Sequence, residues 1–437
     1  MPVPIGVNWA VRLTAVIAIV SVVKDRFGTP ACFAAMVGMF VSGFLPPVFP
    51  LLYRAYTTRT VGFRIRHVLH PRLPSHSTTI FGARRLVESG DGVASPGVFI
   101  VPVAVLADNY SYVIGCERTH TCAVVDPADP KRVLEAVQSL GYEIKLVLTT
   151  HKHWDHAGGN DELRAMLPDG VKFVGSEEDR PAACNMLVND GAVLRFGDVE
   201  VQALLSPGHT TGHLMYKVRH APSHDGNAAS SGFLNADPTR EANTGFAPLT
   251  HSLLAAMEPL YAFRTEAFAN AKDPRVAGLS DRLNEPIKTV SNTFALFTGD
   301  CIFCGGCGAM FECRAATDVL LTYDLLHRLH AACPRALCFV GHEYTQRLFG
   351  ELVQRYPKNV DLKRRYSDVC QWRKRDECTV PSTLADEAAT NPLMTLDREE
   401  LVRMATAGVA ASDVETAVYL STHRRTPAGK AITPQGS

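Results

Sequence analysis

Hydrophobic positions in this chain follow two patterns. Near the amino terminus they run almost unbroken. Leu13–Val23 is predominantly apolar, and Phe27–Tyr53 carries no charged residue. A run of that length can span a bilayer even when tilted. Pro46, Pro47 and Pro50 would break a helix near its end, so the predicted span is Pro30–Leu45. Arg54, Arg59, Arg64, Arg66 and Arg72 follow without an intervening acid. The positive-inside tendency then keeps the remainder on the cytosolic or mitochondrial matrix side. Residues 1–73 are therefore expected to be a membrane or targeting segment with a basic flank. A cleaved targeting sequence is the alternative.

Further on, short β-branched or apolar runs of strand length end in glycines and polar side chains. Ile144–Thr150 leads into His151-Lys152-His153-Trp154-Asp155-His156, then Gly158-Gly159-Asn160 and the helical Asp161–Met166. Val199–Leu205 precedes Ser206-Pro207-Gly208-His209-Thr210-Thr211-Gly212-His213. Thr293–Leu296 precedes Phe297-Thr298-Gly299-Asp300, and Ala336–Leu337 precedes Phe339-Val340-Gly341-His342-Glu343-Tyr344. Four strand ends in series thus offer imidazole or carboxylate beside a glycine that lets backbones approach closely.

Two stretches break this rhythm. Residues 74–95 hold Pro, Ser, Thr and Gly and read as a linker. Residues 220–291 read as an insertion, with His220–Asn243 rich in Ser, Asn, Ala and Asp and Ser252–Ala271 helical in composition. The last segment, 346–437, is charged and helical, and Thr383-Leu384-Ala385-Asp386 has the form of a capping box.

Composition narrows the function. The 437 residues leave room for two or three domains. Lys and Arg number 44, as do Asp and Glu, so nothing in the net charge calls for a nucleic-acid partner. Twelve scattered cysteines read as reduced thiols. Cys301, Cys304 and Cys307 have the spacing of part of an iron–sulfur ligand set but lack a correctly spaced fourth. The plainer reading makes them packed turn residues.

The histidine spacing points to metal. On a strand end His151 and His153, at i and i+2, face one point. Asp155 and His156 fall where the chain turns into a helix and face a second point close by. The arrangement suits two adjacent ions better than one, unlike a pair at i and i+4 on a helix.

These strings, taken in order, resemble the metallo-β-lactamase superfamily, and within it the glyoxalase II, or hydroxyacylglutathione hydrolase, family. Asp108-Asn109-Tyr110-Ser111-Tyr112, Val124-Val125-Asp126-Pro127, Gly306-Cys307-Gly308 with Phe311-Glu312, and Val380-Pro381-Ser382-Thr383-Leu384 with Asn391-Pro392 extend the resemblance from about residue 98 to about 395. The first of these and the histidine hexad look closest to the paroxysmal-dyskinesia-protein subgroup, which also carries a hydrophobic N-terminal extension. The resemblance implies an α/β fold, an αββα sandwich over residues 96–345, followed by a C-terminal α-helical substrate domain over 346–437.

It also implies a ligand set. His151, His153 and His209 would hold one divalent ion; Asp155, His156 and His342 would hold the other; Asp300 would bridge both. Zinc, iron and manganese all suit such donors. Hydroxide generated at the two ions would attack a thioester carbonyl, with Asp155 and Asp300 as the catalytic carboxylates. Asp126 reads either as an acceptor that orients a ligating histidine or as a strand-ending Asp-Pro turn. His213 reads as structural. Tyr344, Cys307 and Phe311 would meet the substrate, a thioester of glutathione or a related thiol.

The substrate contacts depart from the family. Ala309 stands where the glutathione hydrolases have Lys and the dyskinesia subgroup Arg. Phe311 replaces a Tyr, and the basic pair that holds the glycine carboxylate has no clear counterpart, His423, Arg424, Arg425 and Lys430 being the nearest candidates. Two alternatives stay open: a persulfide dioxygenase using one iron, and a membrane-tethered binding or scaffold protein without catalysis. The Pro-Ser-Thr-Leu and Asn-Pro strings argue against the first, and the intact ligand set against the second.

Overall fold

The computed structural model describes residues 84–87, 97–106, 108–221, 288–291, 293–308, 310–313, 316–375 and 377–395. Two sheets stack face to face. The first has eight strands in the order β11-β1-β2-β3-β4-β5-β6-β7: β1 (Arg84–Val87), β2 (Val98–Val105), β3 (Asn109–Cys116), β4 (Thr121–Val125), β5 (Glu143–Leu148), β6 (Lys172–Ser176), β7 (Met186–Val188) and β11 (Lys288–Ser291). The second has six in the order β14-β13-β12-β10-β9-β8: β8 (Val193–Phe196), β9 (Val199–Leu205), β10 (Leu214–His220), β12 (Ala295–Gly299), β13 (Leu337–Val340) and β14 (Ser382–Thr383).

Alternation along the strands places the main core between the sheets. Ile100, Tyr112, Ile114, Ala123 and Leu148 face Val201, Ala203, Tyr216, Phe297 and Phe339 in one buried cluster. Odd-numbered partners such as Val101, Val103 and Val113 point the other way. They pack under α1 (Pro130–Leu140), which opens on the side chain of Asp129 and closes on left-handed Gly141. Behind the second sheet, Leu296 and Cys338 pack against Val319, Tyr323 and Leu326 of α4 (Ala316–Ala332). Helices on both outer faces complete the expected αββα sandwich. The remaining helices are α2 (Trp154–Ala157), α3 (Asn160–Met166), α5 (Thr345–Arg355), α6 (Val360–Lys374), α7 (Leu384–Thr390) and α8 (Pro392–Thr395).

Some sequence expectations need correction. Arg84–Val87, read as part of a linker, is a strand that pairs antiparallel with β2 and parallel with β11. The insertion is bounded by strands at both ends, since His220 closes β10 and Lys288–Ser291 forms β11. The pairing with β11 is made by a partner remote in sequence, so local composition could not reveal it. The C-terminal segment is also joined to the sandwich: Ser382 and Thr383 pair with Cys338 and Leu337 as an edge strand. The capping box forms as expected, with Thr383 and Asp386 exchanging side-chain-to-backbone hydrogen bonds. Among the described residues no helix is long and apolar enough to cross a membrane. The expected anchor, Ala309, the region from 222 to 287, and His423, Arg424, Arg425 and Lys430 lie outside them.

Candidate metal centre

The expected ligands meet where strands end on one edge of the sandwich. His151, His153, Asp155 and His156 follow β5; His209 lies in the β9–β10 connection; Asp300 follows β12; His342 follows β13. An irregular register between β12 and β13 at Phe297–Gly299 turns the chain just before Asp300. Gly341 passes so close that a Cβ there would stand 2.5 Å from Asp300 Oδ1, so no larger residue fits without displacing the carboxylate. A backbone bond of 2.9 Å from Tyr110 N to Gly341 O joins the two sheets there, and one from Gly341 N to Gly299 O, also 2.9 Å, holds the end of β12 against the segment after β13.

Three groups of potential donor atoms form: His151, His153 and His209; His151, His156 and Asp300; Asp155, His156 and His342, with the atoms of each group within 4.8 Å of one another. His151 Nε2 and His209 Nε2 each lie 2.9 Å from His153 Nδ1. Asp300 looks both ways. Its Oδ2 is 3.4 Å from His209 Nε2, whereas Oδ1 is 3.2 Å from His156 Nε2 and 3.4 Å from His342 Nε2. His342 Nε2 is also 3.5 Å from Asp155 Oδ2.

The donor set fits divalent cations. Asp155 Oδ1, Asp300 Oδ1 and His156 Nε2 are buried without a hydrogen-bond partner, an arrangement that is costly unless an ion meets them. Burial, followed by the neighbouring imidazoles, holds His151 and His153 well below the ordinary histidine range, so both present neutral lone pairs. Burial pushes His342 the same way, but Asp300 and Asp108 outweigh it and lift the ring to about 10. His156 is raised likewise against burial, by Asp300, Asp126 and Asp155. The carboxylates thus draw positive charge into the site.

A second ring of contacts holds the donors. Asp126 Oδ2 is 2.9 Å from His156 Nδ1, so of its two readings the orienting one matches the geometry. His213 accepts from Asp300 N–H at 3.2 Å through Nε2, with Ser206 Oγ 2.8 Å from its Nδ1. It holds the Asp300 backbone, as a structural residue would. Sequence reading gave no role to four residues that act here. Asp108 Oδ1 is 2.8 Å from His342 Nδ1. Asn109 Nδ2 donates to the Asp155 carbonyl at 3.1 Å. Thr150 anchors Asp126 through N–H and hydroxyl. Asp179, buried, accepts from Lys152 N–H at 3.2 Å and Gly212 N–H at 2.8 Å, tying two ligand loops together. Asp108 and Asn109 open the Asp-Asn-Tyr-Ser-Tyr run, which was the available signal; Asp179 had none.

The three expected substrate contacts differ in exposure. Tyr344 is half-buried and stacks on His342, ring centroids 4.7 Å apart at 11°. Phe311 is 42 % exposed, its ring 5.4 Å from that of His209, so it stands at the rim. Cys307 is buried in the cluster beneath the second sheet and backs the site instead of lining its surface. Cys301 shares that cluster whereas Cys304 joins the main core, so the three cysteines pack as turn residues. Burial pushes the Cys301 thiol up to about 12.

Comparison with known proteins identifies the family. Residues 107–221 match the metallo-β-lactamase superfamily, and residues 343–424 match the family described as hydroxyacylglutathione hydrolase C-terminus. A cytoplasmic hydroxyacylglutathione hydrolase of Arabidopsis thaliana is 31% identical over 306 residues, 70% of this chain and 90% of its own length. A hydroxyacylglutathione hydrolase of Rhodospirillum rubrum is 30% identical over 297 residues, 68% of this chain and 86% of its own. Among solved structures, that of ETHE1 from Myxococcus xanthus aligns with 71% of this chain and 92% of its own at 20% identity, with a TM-score of 0.38. The chain belongs to the hydroxyacylglutathione hydrolase, or glyoxalase II, family of the metallo-β-lactamase superfamily.

Proposed function

We propose that this chain hydrolyses a thioester of glutathione or a closely related thiol, S-D-lactoylglutathione being the first candidate, to a hydroxy acid and the free thiol. Membership of the family makes it a metal-dependent hydrolase. The observation that carries the finer reading is the double-facing carboxylate of Asp300, one oxygen toward His209 and the other toward His156 and His342. Two bound dications would supply hydroxide at neutral pH and polarise the thioester carbonyl.

The chain's own residues do the rest. Asp300 offsets repulsion between adjacent positive charges, and Asp155 adds a second carboxylate on the His342 side. Asp108, Asp126 and His213 hold His342, His156 and Asp300 in place. Tyr344 and Phe311 flank the approach. The departing thiolate belongs to a thiol with a pKa of about 8.5, so it leaves without a dedicated general acid. Nitrogen and oxygen donors suit zinc, with iron and manganese as alternatives. For location we propose that residues 1–73 tether the catalytic part to a membrane on its cytosolic or matrix side, on the strength of the uncharged run Phe27–Tyr53 and the arginines after it.

Metal analysis and thioester hydrolysis, measured on one purified sample, test the reading. About two ions per chain with turnover are expected. Asp300→Ala should lose both ions and the activity. Full metal content in that variant would remove Asp300 from its bridging place, and a metal-loaded wild type without turnover would leave a binding protein.

A further inference from the structure

Between Asp300 and Gly308 the chain makes a tight turn. Phe303 N donates to Gly306 O at 2.7 Å, and Gly306 N to Phe303 O at 3.2 Å. Gly305 is left-handed, φ 80°, and a Cβ there would lie 2.7 Å from the Phe349 ring of α5. The turn is thus pressed against a helix and needs its backbone groups satisfied away from water.

Two side chains of the C-terminal helical segment do this. Asn391 Nδ2 donates to Phe303 O at 3.0 Å and to Gly306 O at 2.8 Å. Gly305 N donates to Glu387 Oε2 at 2.9 Å, and Asn391 Nδ2 also lies 2.9 Å from that oxygen. Both side chains are fully buried. The far side of the turn carries Phe303. Its ring meets His342 edge-on at 5.7 Å and 90°, and Tyr344 at 5.2 Å and 80°. At the turn's end Gly308 N donates to Asp300 O at 3.0 Å.

We propose that Glu387 and Asn391 are positioning residues: through the Phe303–Gly306 turn they fix the rings of His342 and Tyr344, and so make the C-terminal helices part of the metal centre. The chain of contact is short, and Glu387, Asn391 and Phe303 are buried. Helix α7 holds the turn, the turn aims Phe303, and Phe303 sets one ligand-group imidazole and one substrate-facing phenol. The clamp therefore acts most directly on the Asp155–His156–His342 side, and reaches His209 only through Gly308 and Asp300 at the turn's end. Its effect on substrate rests on the hydrolase reading above; its effect on metal affinity and on the turn does not.

Asn391→Leu keeps the bulk and removes the donors. Metal affinity at the step that fills the His342 side of a two-step titration should fall by about tenfold or more, in the range for lost supporting hydrogen bonds. The other step should move less, and KM for the thioester should rise more than kcat falls at saturating metal. In metal-free protein, Glu387→Ala should speed hydrogen exchange at Gly305 N–H, whereas Glu387→Gln, which keeps an acceptor oxygen, should behave as wild type. If Asn391→Leu does not fold, Phe303→Leu leaves the clamp intact but removes the aromatic edge, and should reproduce the metal and KM effects. A lowered melting temperature with both metal steps and KM unchanged would make the pair merely structural, as would an unchanged Phe303→Leu. Shifted metal affinity in a chain that hydrolyses no thioester would uphold the clamp and overturn the hydrolase reading.

Discussion

Asp126 Oδ2 lies 2.9 Å from His156 Nδ1, and Thr150 holds that same carboxylate through its backbone N–H at 2.8 Å and its hydroxyl at 2.7 Å. The residue sits at φ 47°, a left-handed conformation that Asn accepts almost as readily as Asp. Asp126→Asn should therefore fold. Its single amide oxygen can accept from Thr150 N–H or face His156 Nδ1 but not both, and the negative charge that makes the ring a better donor to a cation is gone. Metal affinity should drop by about 10–100-fold, the usual cost of losing such a partner. Chelator competition measures it directly, and wild-type affinity would leave Asp126 as a turn residue only.

His213 makes the opposite kind of prediction. Its Nε2 accepts from Asp300 N–H and its Nδ1 faces Ser206, so both ring nitrogens are spent on the protein. His213→Ala should bind about two ions, the number expected for a dinuclear site, yet lose activity by about tenfold or more, because Asp300 loses its backbone support. Loss of one ion from this variant would identify His213 as a ligand.

The ligand-type residues were legible because each lies in a local string: a strand, a glycine, then a donor. His151 through His156 announce themselves by spacing alone. Of their supports, Asp126 was half legible at its strand end, but those from far along the chain were not. Asp108 serves His342 from 234 positions away, and Asn391 serves Phe303 from 88, distances that no local pattern encodes. The capping box at Thr383 was visible because both its partners sit within four residues. The strand Arg84–Val87 was hidden for the converse reason. It is four residues long, and its place depends on β2 and on β11, some 200 positions further along.

Ala309 gives a prediction about the carrier. Two positions further on, the Phe311 ring stands 5.4 Å from that of His209 and 6.1 Å from that of His153. Restoring a lysine there should return a charged contact to a glutathione carboxylate, worth about 1.5–3 kcal/mol. Ground and transition states share that contact, so Ala309→Lys should lower KM by about tenfold or more with kcat little changed. An unchanged or higher KM for glutathione thioesters would mean the pocket is built for another thiol.

Glu387 links the clamp to acidity. Burial, the largest influence, raises its carboxyl above the ordinary range, against the hydrogen bonds from Gly305 and Asn391 and the pull of Arg365. A glutamate in the unfolded chain titrates near about 4.3. The folded chain therefore holds its proton more tightly, and between the unfolded and the raised folded pKa it binds more protons than the unfolded chain. Stability from this group is complete below the unfolded value, falls as pH climbs through that window, and is level above it. Glu387→Gln has no proton to lose and keeps an oxygen to accept from Gly305 N–H. Measured as urea midpoints on metal-free protein, the variant should gain on wild type as pH rises through the window, and the gap should then hold constant. Groups common to both chains cancel in that difference. A gap that does not change with pH would show that Glu387 titrates alike in the folded and unfolded chains, and that its burial imposes no charge penalty on the clamp.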